Sequence, residues 1–126
     1  MNMLLLVAAG GAIGASARHL VNIGMGRLLG TSFPWGTLTV NIVGSLLMGI
    51  LIEMLVMRYA GSPTMRAFLG TGFLGGFTTF SAFSLDVYVL AERGDTLTAL
   101  AYVAGSVVIS VAALFAGVAL VRAVLT

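Results

Sequence analysis

Four apolar runs, each long enough to cross a bilayer as a helix, take up nearly all of this chain. They cover residues 3–27, 36–57, 67–91 and 97–121, separated by short polar or proline-containing segments. A membrane-spanning helix needs about 20 apolar residues, and 60% of the 126 residues are hydrophobic while 8% are charged. The sequence therefore predicts an all-α membrane protein with residues 1–126 in one domain of four transmembrane helices. The first run lacks a basic leading region, so we expect a retained helix and not a cleaved signal.

The charged residues are divided almost evenly between the two ends of these runs. Six arginines stand against four acids. Arg58, Arg66 and Arg122 fall at one end and Arg27 and Arg93 at the other, with Arg18 in the half of the first run that leads toward the Arg27 end. Cytoplasmic loops usually carry the excess of basic residues, so an even division gives little instruction about orientation. We therefore expect dual topology, with two copies of the chain forming an antiparallel homodimer in the lipid bilayer. Scattered arginines also argue against a nucleic-acid partner.

The third run contains a segment that a plain lipid anchor does not need. Gly70, Gly72, Gly75 and Gly76 come before a Thr78–Thr79 pair, and each glycine inside a helix costs about 1 kcal/mol relative to alanine. This density predicts a break in the third helix near the bilayer centre. The carbonyl groups freed by a break need partners, and unwound carbonyls at membrane depth can hold a sodium ion.

Polar side chains recur at helical spacing in the second and fourth runs. Thr37, Asn41 and Ser45 are each four residues apart, and so are Ser106 and Ser110, which places each set on one helical face. Two interpretations stand for these stripes: hydrogen bonds between helices or to the helix's own carbonyls, or donors that face a permeation path. An anion that leaves water needs such donors.

Two phenylalanines follow the predicted break. Phe80 and Phe83 are three residues apart, with the hydroxyl residues Ser81 and Ser84 beside them. An aromatic ring is positive at its edge, so paired ring edges can stabilise an anion without binding it tightly. Ordinary packing is the alternative, but the neighbouring break and hydroxyl groups favour a role in an ion pathway.

The first run carries a face of small residues and then a buried charge. Gly10, Gly11 and Gly14 are spaced to let another helix approach closely. Arg18 lies inside the run, where it either caps a helix or snorkels to water, or else lines an anion vestibule. The single histidine, His19, has no companion at metal-ligand spacing. Glu53 lies near a helix end and is expected to be solvated.

These stretches resemble the CrcB/Fluc fluoride channel family over essentially the whole chain. The resemblance rests on Gly10 to Arg18, Gly36 to Gly44 and Gly75 to Ser84. It implies a bacterial inner-membrane channel for fluoride, built as an antiparallel dimer with two pores and a central structural sodium ion. The family pattern implies sodium binding by the carbonyls of Gly75 and Thr78, and a fluoride path lined by three side chains: Asn41, Phe80 and Phe83. It also implies a hydroxyl track that includes Ser110 and continues at position 114, where this chain has Leu114.

A small multidrug-resistance-type exchanger, which exchanges protons for a cationic drug, is the alternative function. Such a protein needs a carboxylate embedded in the membrane, whereas the acids here fall near the ends of the runs: Glu53, Asp86, Glu92 and Asp95. The chain has no cysteine, and no nucleophile, base and orienting group occur together, so enzyme activity is not expected.

Overall fold

The computed structural model describes residues 2–126, and it is helical throughout apart from short connections. Its α-helices are α1 (Met3–Leu29), α2 (Trp35–Met57), α3 (Pro63–Met65), α4 (Gly75–Phe77), α5 (Ser81–Glu92) and α6 (Thr96–Leu125), and a π-helix occupies Arg66–Leu74. Four helical segments are long and apolar enough to cross a membrane: Met3–Leu29, Trp35–Met57, Pro63–Glu92 and Thr96–Leu125. The predicted all-helical architecture with four long apolar helices is confirmed.

Local signals in the sequence explain where these helices begin and end. The Asn2 side chain accepts a hydrogen bond from the Leu4 amide at 2.8 Å and so caps α1. At the other end of α1, Gly30 has a φ of 82°, a backbone conformation that residues with a side chain rarely adopt. Ser62 accepts a hydrogen bond from the Met65 amide at 3.3 Å, and Pro63 occupies the first turn of α3.

The third membrane-length segment is composite. It begins as α3, widens into the π-helix, and closes into the short α4. Residues 78–80 then lie outside any helix, with Thr78 in an extended conformation at φ −88° and ψ 158°, before α5 begins at Ser81. π-helical turns are rare and often occur at functional sites. We call residues 78–80 the linker.

Glycines let α1 lie directly against the backbone of the third segment. A Cβ atom added to Gly10 would clash with the carbonyl oxygen of Phe68, and one on Gly14 would clash with that of Phe73. The same close approach joins α2 to α6, where Gly49 lies against the backbone of Leu114. Small residues permit this contact between membrane helices, as the glycine face of the first run predicted.

Aromatic and aliphatic side chains hold α5 against α6. The buried residues of this cluster are Phe83, Leu90, Ala99 and Tyr102. The rings of Phe83 and Tyr102 lie 5.1 Å apart at a tilt of 44°, a separation typical of favourable aromatic pairs.

One expectation from the sequence is wrong. Glu53 is not solvated: it is 8% exposed, and its Oε2 accepts a hydrogen bond from Arg122 Nε at 3.1 Å. The partner lies in the last turn of α6, so the pair links the ends of α2 and α6. A buried carboxylate needs such a partner because desolvation disfavours an isolated charge.

Candidate functional site

A cavity of about 480 Å³ lies where α2, α6 and the linker meet. Three walls line it, and it is open on one side. The first wall is formed by α2, the second by the start of α4, the linker and α5, and the third by α6. In that order the residues are Asn41, Gly44, Ser45 and Met48, then Gly75, Thr78, Thr79, Phe80 and Phe83, then Ser106, Val107, Ser110, Val111 and Leu114. Most of the predicted pathway residues therefore share one space.

Asn41 connects α2 to the linker through both ends of its amide group. Its Oδ1 accepts from the Thr79 amide at 2.8 Å, and its Nδ2 donates to the Thr79 carbonyl at 3.0 Å. This paired arrangement reproduces what a neighbouring strand would offer and satisfies backbone groups outside any helix. One N–H of the Asn41 amide remains after these bonds.

Asn41 also removes the backbone donor that the Gly75 carbonyl would have in a continuous helix. In a continuous α-helix that oxygen would accept from the amide of Thr79, but the Thr79 amide donates to Asn41. Gly75 is exposed at this point. The carbonyl of Gly75 therefore lacks its α-helical donor.

The Thr78 carbonyl is released in a similar way. Its α-helical donor would be the amide of Ala82, which instead donates to Thr79 Oγ1 at 3.2 Å. Thr79 thus caps the start of α5. The Thr78 hydroxyl donates back to the Leu74 carbonyl at 2.9 Å, so its side chain is occupied while its main-chain oxygen is available.

Ser106 and Ser110 line the opposite wall of the cavity. Both Oγ atoms are buried, and neither has a hydrogen-bond partner among residues 2–126. Membrane serines commonly donate to the carbonyl four residues earlier, but these two do not. A buried hydroxyl without a partner is costly, so the two groups indicate a space meant to hold a polar species.

The polarity of this wall ends one turn further along α6. Leu114 follows Ser110 at the same spacing and lines the cavity together with Val111. Met48 lines the facing part of α2. The cavity is therefore polar near Asn41 and apolar near Leu114.

The two phenylalanines have unequal surroundings. Phe80 is 77% exposed, whereas Phe83 is 8% exposed, although their ring centroids lie 5.6 Å apart. Phe83 also contacts Tyr102, so its position is fixed by the core of α5 and α6. Phe80 projects from the linker with one side facing away from the protein.

Four predicted site residues lie outside this cavity lining: Arg18, which is described below, and Ser81, Ser84 and Thr37. Ser84 donates its hydroxyl to the Phe80 carbonyl at 3.0 Å, and the Ser81 Oγ lies 3.4 Å from Thr79 Oγ1; both serines are exposed. Thr37 is buried and lines a second cavity of about 340 Å³, together with Asp86. The Asp86 carboxylate accepts a hydrogen bond from the Tyr102 hydroxyl at 3.0 Å. Their part in an ion path stays a prediction.

Arg18 adopts a capping position. Its Nε donates to the carbonyl of Gly76 at 3.0 Å. The bond joins α1 to α4, so the residue caps a helix other than its own. It does not line the larger cavity.

Three residues that organise this region have no individual role predicted from the sequence: Thr79 and Gly76, which lie in the predicted break, and Tyr102. Thr79 bonds to Asn41, the Gly76 carbonyl receives Arg18, and Tyr102 contacts both Phe83 and Asp86. Only the position of Thr79 beside the predicted break could have drawn attention to it. Across residues 2–126, no group of three or more His, Cys, Asp or Glu side chains could hold a metal ion.

Comparison with known proteins gives consistent results. The family described as CrcB-like protein, Camphor Resistance (CrcB), matches residues 5–118. A protein of Rhodospirillum centenum named fluoride-specific ion channel FluC is 55% identical over 122 residues, covering 97% of each chain. Proteins of the same name from Rhizobium meliloti and from Chelativorans sp. are 54% identical over 98% of each chain and 57% identical over 99% of this chain.

Proposed function

This chain belongs to the CrcB-like protein family, and from that premise we propose that it is a fluoride-specific ion channel. Relatives with this name are more than 50% identical over nearly the full length. The chain is accordingly a multi-pass membrane channel and not an enzyme. The structural observation that supports this function best is the pair of buried, unpartnered hydroxyls at Ser106 and Ser110, two residues that line the same cavity as Asn41.

The cavity suits a small, strongly hydrated anion. Fluoride gives up its water only where several donors replace it, and it leaves again only if no single group binds too tightly. We propose that the Ser106 and Ser110 hydroxyls and the remaining N–H of Asn41 supply these donors. No arginine or other cation lines this space, which favours passage over retention.

The rings extend the donor set toward the linker. We propose that Phe80 and Phe83 turn ring edges toward the passing anion, with the Ser81 and Ser84 hydroxyls close by. The tilt of 44° between the rings lets an edge of one and an edge of the other face a common point. Thr37 continues the path into the second cavity beside Asp86.

We propose that a structural sodium ion binds the linker. The carbonyls of Gly75 and Thr78 have lost their helical donors to Asn41 and Thr79, and carbonyl oxygens are suitable ligands for a hard cation. Sodium bound there would neutralise the unpaired carbonyl dipoles. The residues present therefore fit the ion.

Two copies of the chain would complete this arrangement. We propose an antiparallel, dual-topology homodimer in the bacterial inner membrane, in which each linker faces its partner. The exposure of Gly75 supports this proposal, because a carbonyl group without a donor at membrane depth needs a partner. The even division of arginines between the two ends agrees with insertion in both orientations.

Passive conduction explains the biological use. Hydrogen fluoride is a weak acid that crosses membranes and dissociates in neutral cytoplasm, so fluoride ions accumulate inside. A fluoride path down the electrochemical gradient lowers that concentration without ATP.

Fluoride efflux from liposomes tests the function. Purified protein is reconstituted into vesicles loaded with potassium fluoride, valinomycin is added to balance charge, and a fluoride electrode follows release. We expect rapid release that empty vesicles do not show, and slow release when chloride replaces fluoride and a chloride electrode is used. Release no faster than from empty vesicles, with the reconstituted protein intact, would contradict the proposal.

A further inference from the structure

The carbonyl groups at the end of α4 are distributed among different partners. Helix ends leave the last four carbonyls without intrahelical donors. Here α4 ends at Phe77, and the Gly76 carbonyl accepts from Arg18 Nε at 3.0 Å. In a continuous helix that oxygen would accept from the amide of Phe80. Arg18 therefore takes the place of a backbone donor that the linker has removed.

Backbone contact between α1 and α4 brings Arg18 to this position. A Cβ atom added to Gly76 would lie 2.6 Å from the Gly11 carbonyl oxygen and 3.2 Å from the Ala15 nitrogen. Arg18 comes one helical turn after Ala15, on the same face of α1. The guanidinium consequently reaches the end of α4 with its apolar stem along the helix.

The geometry points to Arg18 as a positioning residue for the ion pathway. Its bond to Gly76 fixes where α4 ends, and this end determines where the linker places Phe80 and Thr79. The inference rests on the proposed channel function for its flux readout, but it differs from an anion-binding role, because here the guanidinium acts on protein backbone. A positive charge at the carbonyl end of a helix is also favourable by itself.

Arg18 and Asn41 act on opposite sides of Thr78. Arg18, from α1, holds the carbonyl of Gly76, one residue before the end of α4, and Asn41, from α2, holds both backbone groups of Thr79. Between these two attachments the chain turns from helical to extended at Thr78. Two side chains from two different helices therefore fix the linker, and loss of either one frees its side of the turn.

The positioning role uses one particular nitrogen of the guanidinium. Nε is the donor nearest the stem, and a bond there orients the whole guanidinium plane. Lysine carries its charge on a flexible stem without this fixed plane. An anion-binding role would need only the charge, whereas the positioning role needs the planar donor.

Hydrogen–deuterium exchange combined with fluoride flux tests the inference. The variants are Arg18→Met and Arg18→Lys, and the matched control is Arg27→Met, because Arg27 is an exposed arginine near the end of the same helix. For Arg18→Met we expect about tenfold faster exchange of the amides of residues 77–82, since a bond to a charged donor is lost. Maximal fluoride flux should fall by a similar factor, about tenfold, while the half-saturating fluoride concentration changes by less than about twofold. The control should match the wild type in all three measurements.

The exchange measurement does not depend on the channel function. Unchanged exchange in Arg18→Met overturns the inference, and a raised half-saturating fluoride concentration with unchanged exchange assigns Arg18 to anion binding instead. If Arg18→Met does not yield folded protein, Arg18→Lys decides: faster exchange at residues 77–82 than in Arg27→Lys supports positioning, and equal exchange overturns it. If the wild type passes no fluoride, the channel proposal fails while the exchange result still decides the role of Arg18.

Discussion

The two halves of the third membrane segment are held in different ways. The first half, from Pro63 to Phe77, contacts α1 through its backbone, because Gly10 and Gly14 let the two helical segments approach without intervening side chains. The second half, Ser81–Glu92, is held to α6 by side chains, with Phe83 and Leu90 packed against Tyr102. Backbone contact tolerates no added atom, whereas side-chain packing can adjust.

This difference suits the separate tasks proposed for the two halves. A cation held by main-chain carbonyls needs a rigid backbone, and the first half supplies it. An anion path needs side chains that can be shaped and substituted, and the second half supplies those. The linker joins the two, with Asn41 fixing the junction. Each prediction below alters one half, or the junction, and leaves the other intact.

The largest effect is expected from adding side-chain bulk to the first half. Gly14→Val would drive a side chain into the Phe73 carbonyl and the Phe77 amide, and overpacking costs about 1–3 kcal/mol, with the largest values expected where the neighbour is rigid backbone. We expect little folded protein after size-exclusion chromatography and a strongly lowered melting temperature. Gly24→Val is the matched control, because no atom lies within 4 Å of a Cβ there. Equal stability of the two variants would refute the claim of backbone contact.

The next effect concerns flux and not folding. Phe80→Ile and Phe83→Ile remove the ring edges, and we expect each to lower fluoride efflux by at least about tenfold, equivalent to about 1.4 kcal/mol. Their melting temperatures should differ: Phe83 is 8% exposed and its loss should destabilise α5, whereas Phe80 is 77% exposed and its loss should not. Wild-type efflux from both variants would show that the rings serve only packing.

A smaller change in stability is expected at the junction. Serine in place of Asn41 is too short to reach Thr79, so the amide and carbonyl of Thr79 lose their partners. Each unsatisfied backbone group costs about 1–3 kcal/mol, less where water replaces the partner, and we expect a loss of about 2 kcal/mol. Ser45→Ala, which lines the same cavity from the next turn of α2, is the control. A melting temperature equal to that of the control would show that Asn41 does not hold the linker in place.

The sequence predicted the first half better than the second. Small residues at positions 10, 11 and 14 are sufficient to predict close helix contact, because spacing along one helix is a local property. The four membrane-length helices follow from apolar run length in the same way. Both features depend only on residues near one another in the chain.

What the sequence could not supply were bonds between distant residues. Glu53 and Arg122 are 69 positions apart, and the bond between Arg18 and Gly76 spans 58. No spacing pattern along the chain links either pair of residues. From the sequence alone Glu53 is therefore expected in water, and no partner is expected for the Gly76 carbonyl. Tyr102 was overlooked for the same reason, since its importance arises only when α5 lies beside α6.

The smallest effect is expected from the polar contact of the second half. Tyr102→Phe keeps the ring beside Phe83 and removes only the hydroxyl that donates to Asp86 at 3.0 Å. If ring packing positions α5, the variant should lose about 1 kcal/mol, the typical contribution of one hydrogen bond, and far less than Tyr102→Ala, which empties the cluster. Melting curves of the two variants in the same detergent make the comparison. Similar losses in both variants would mean that the hydroxyl and not the ring holds α5. The second half would then be held by a hydrogen bond between side chains and not by ring packing.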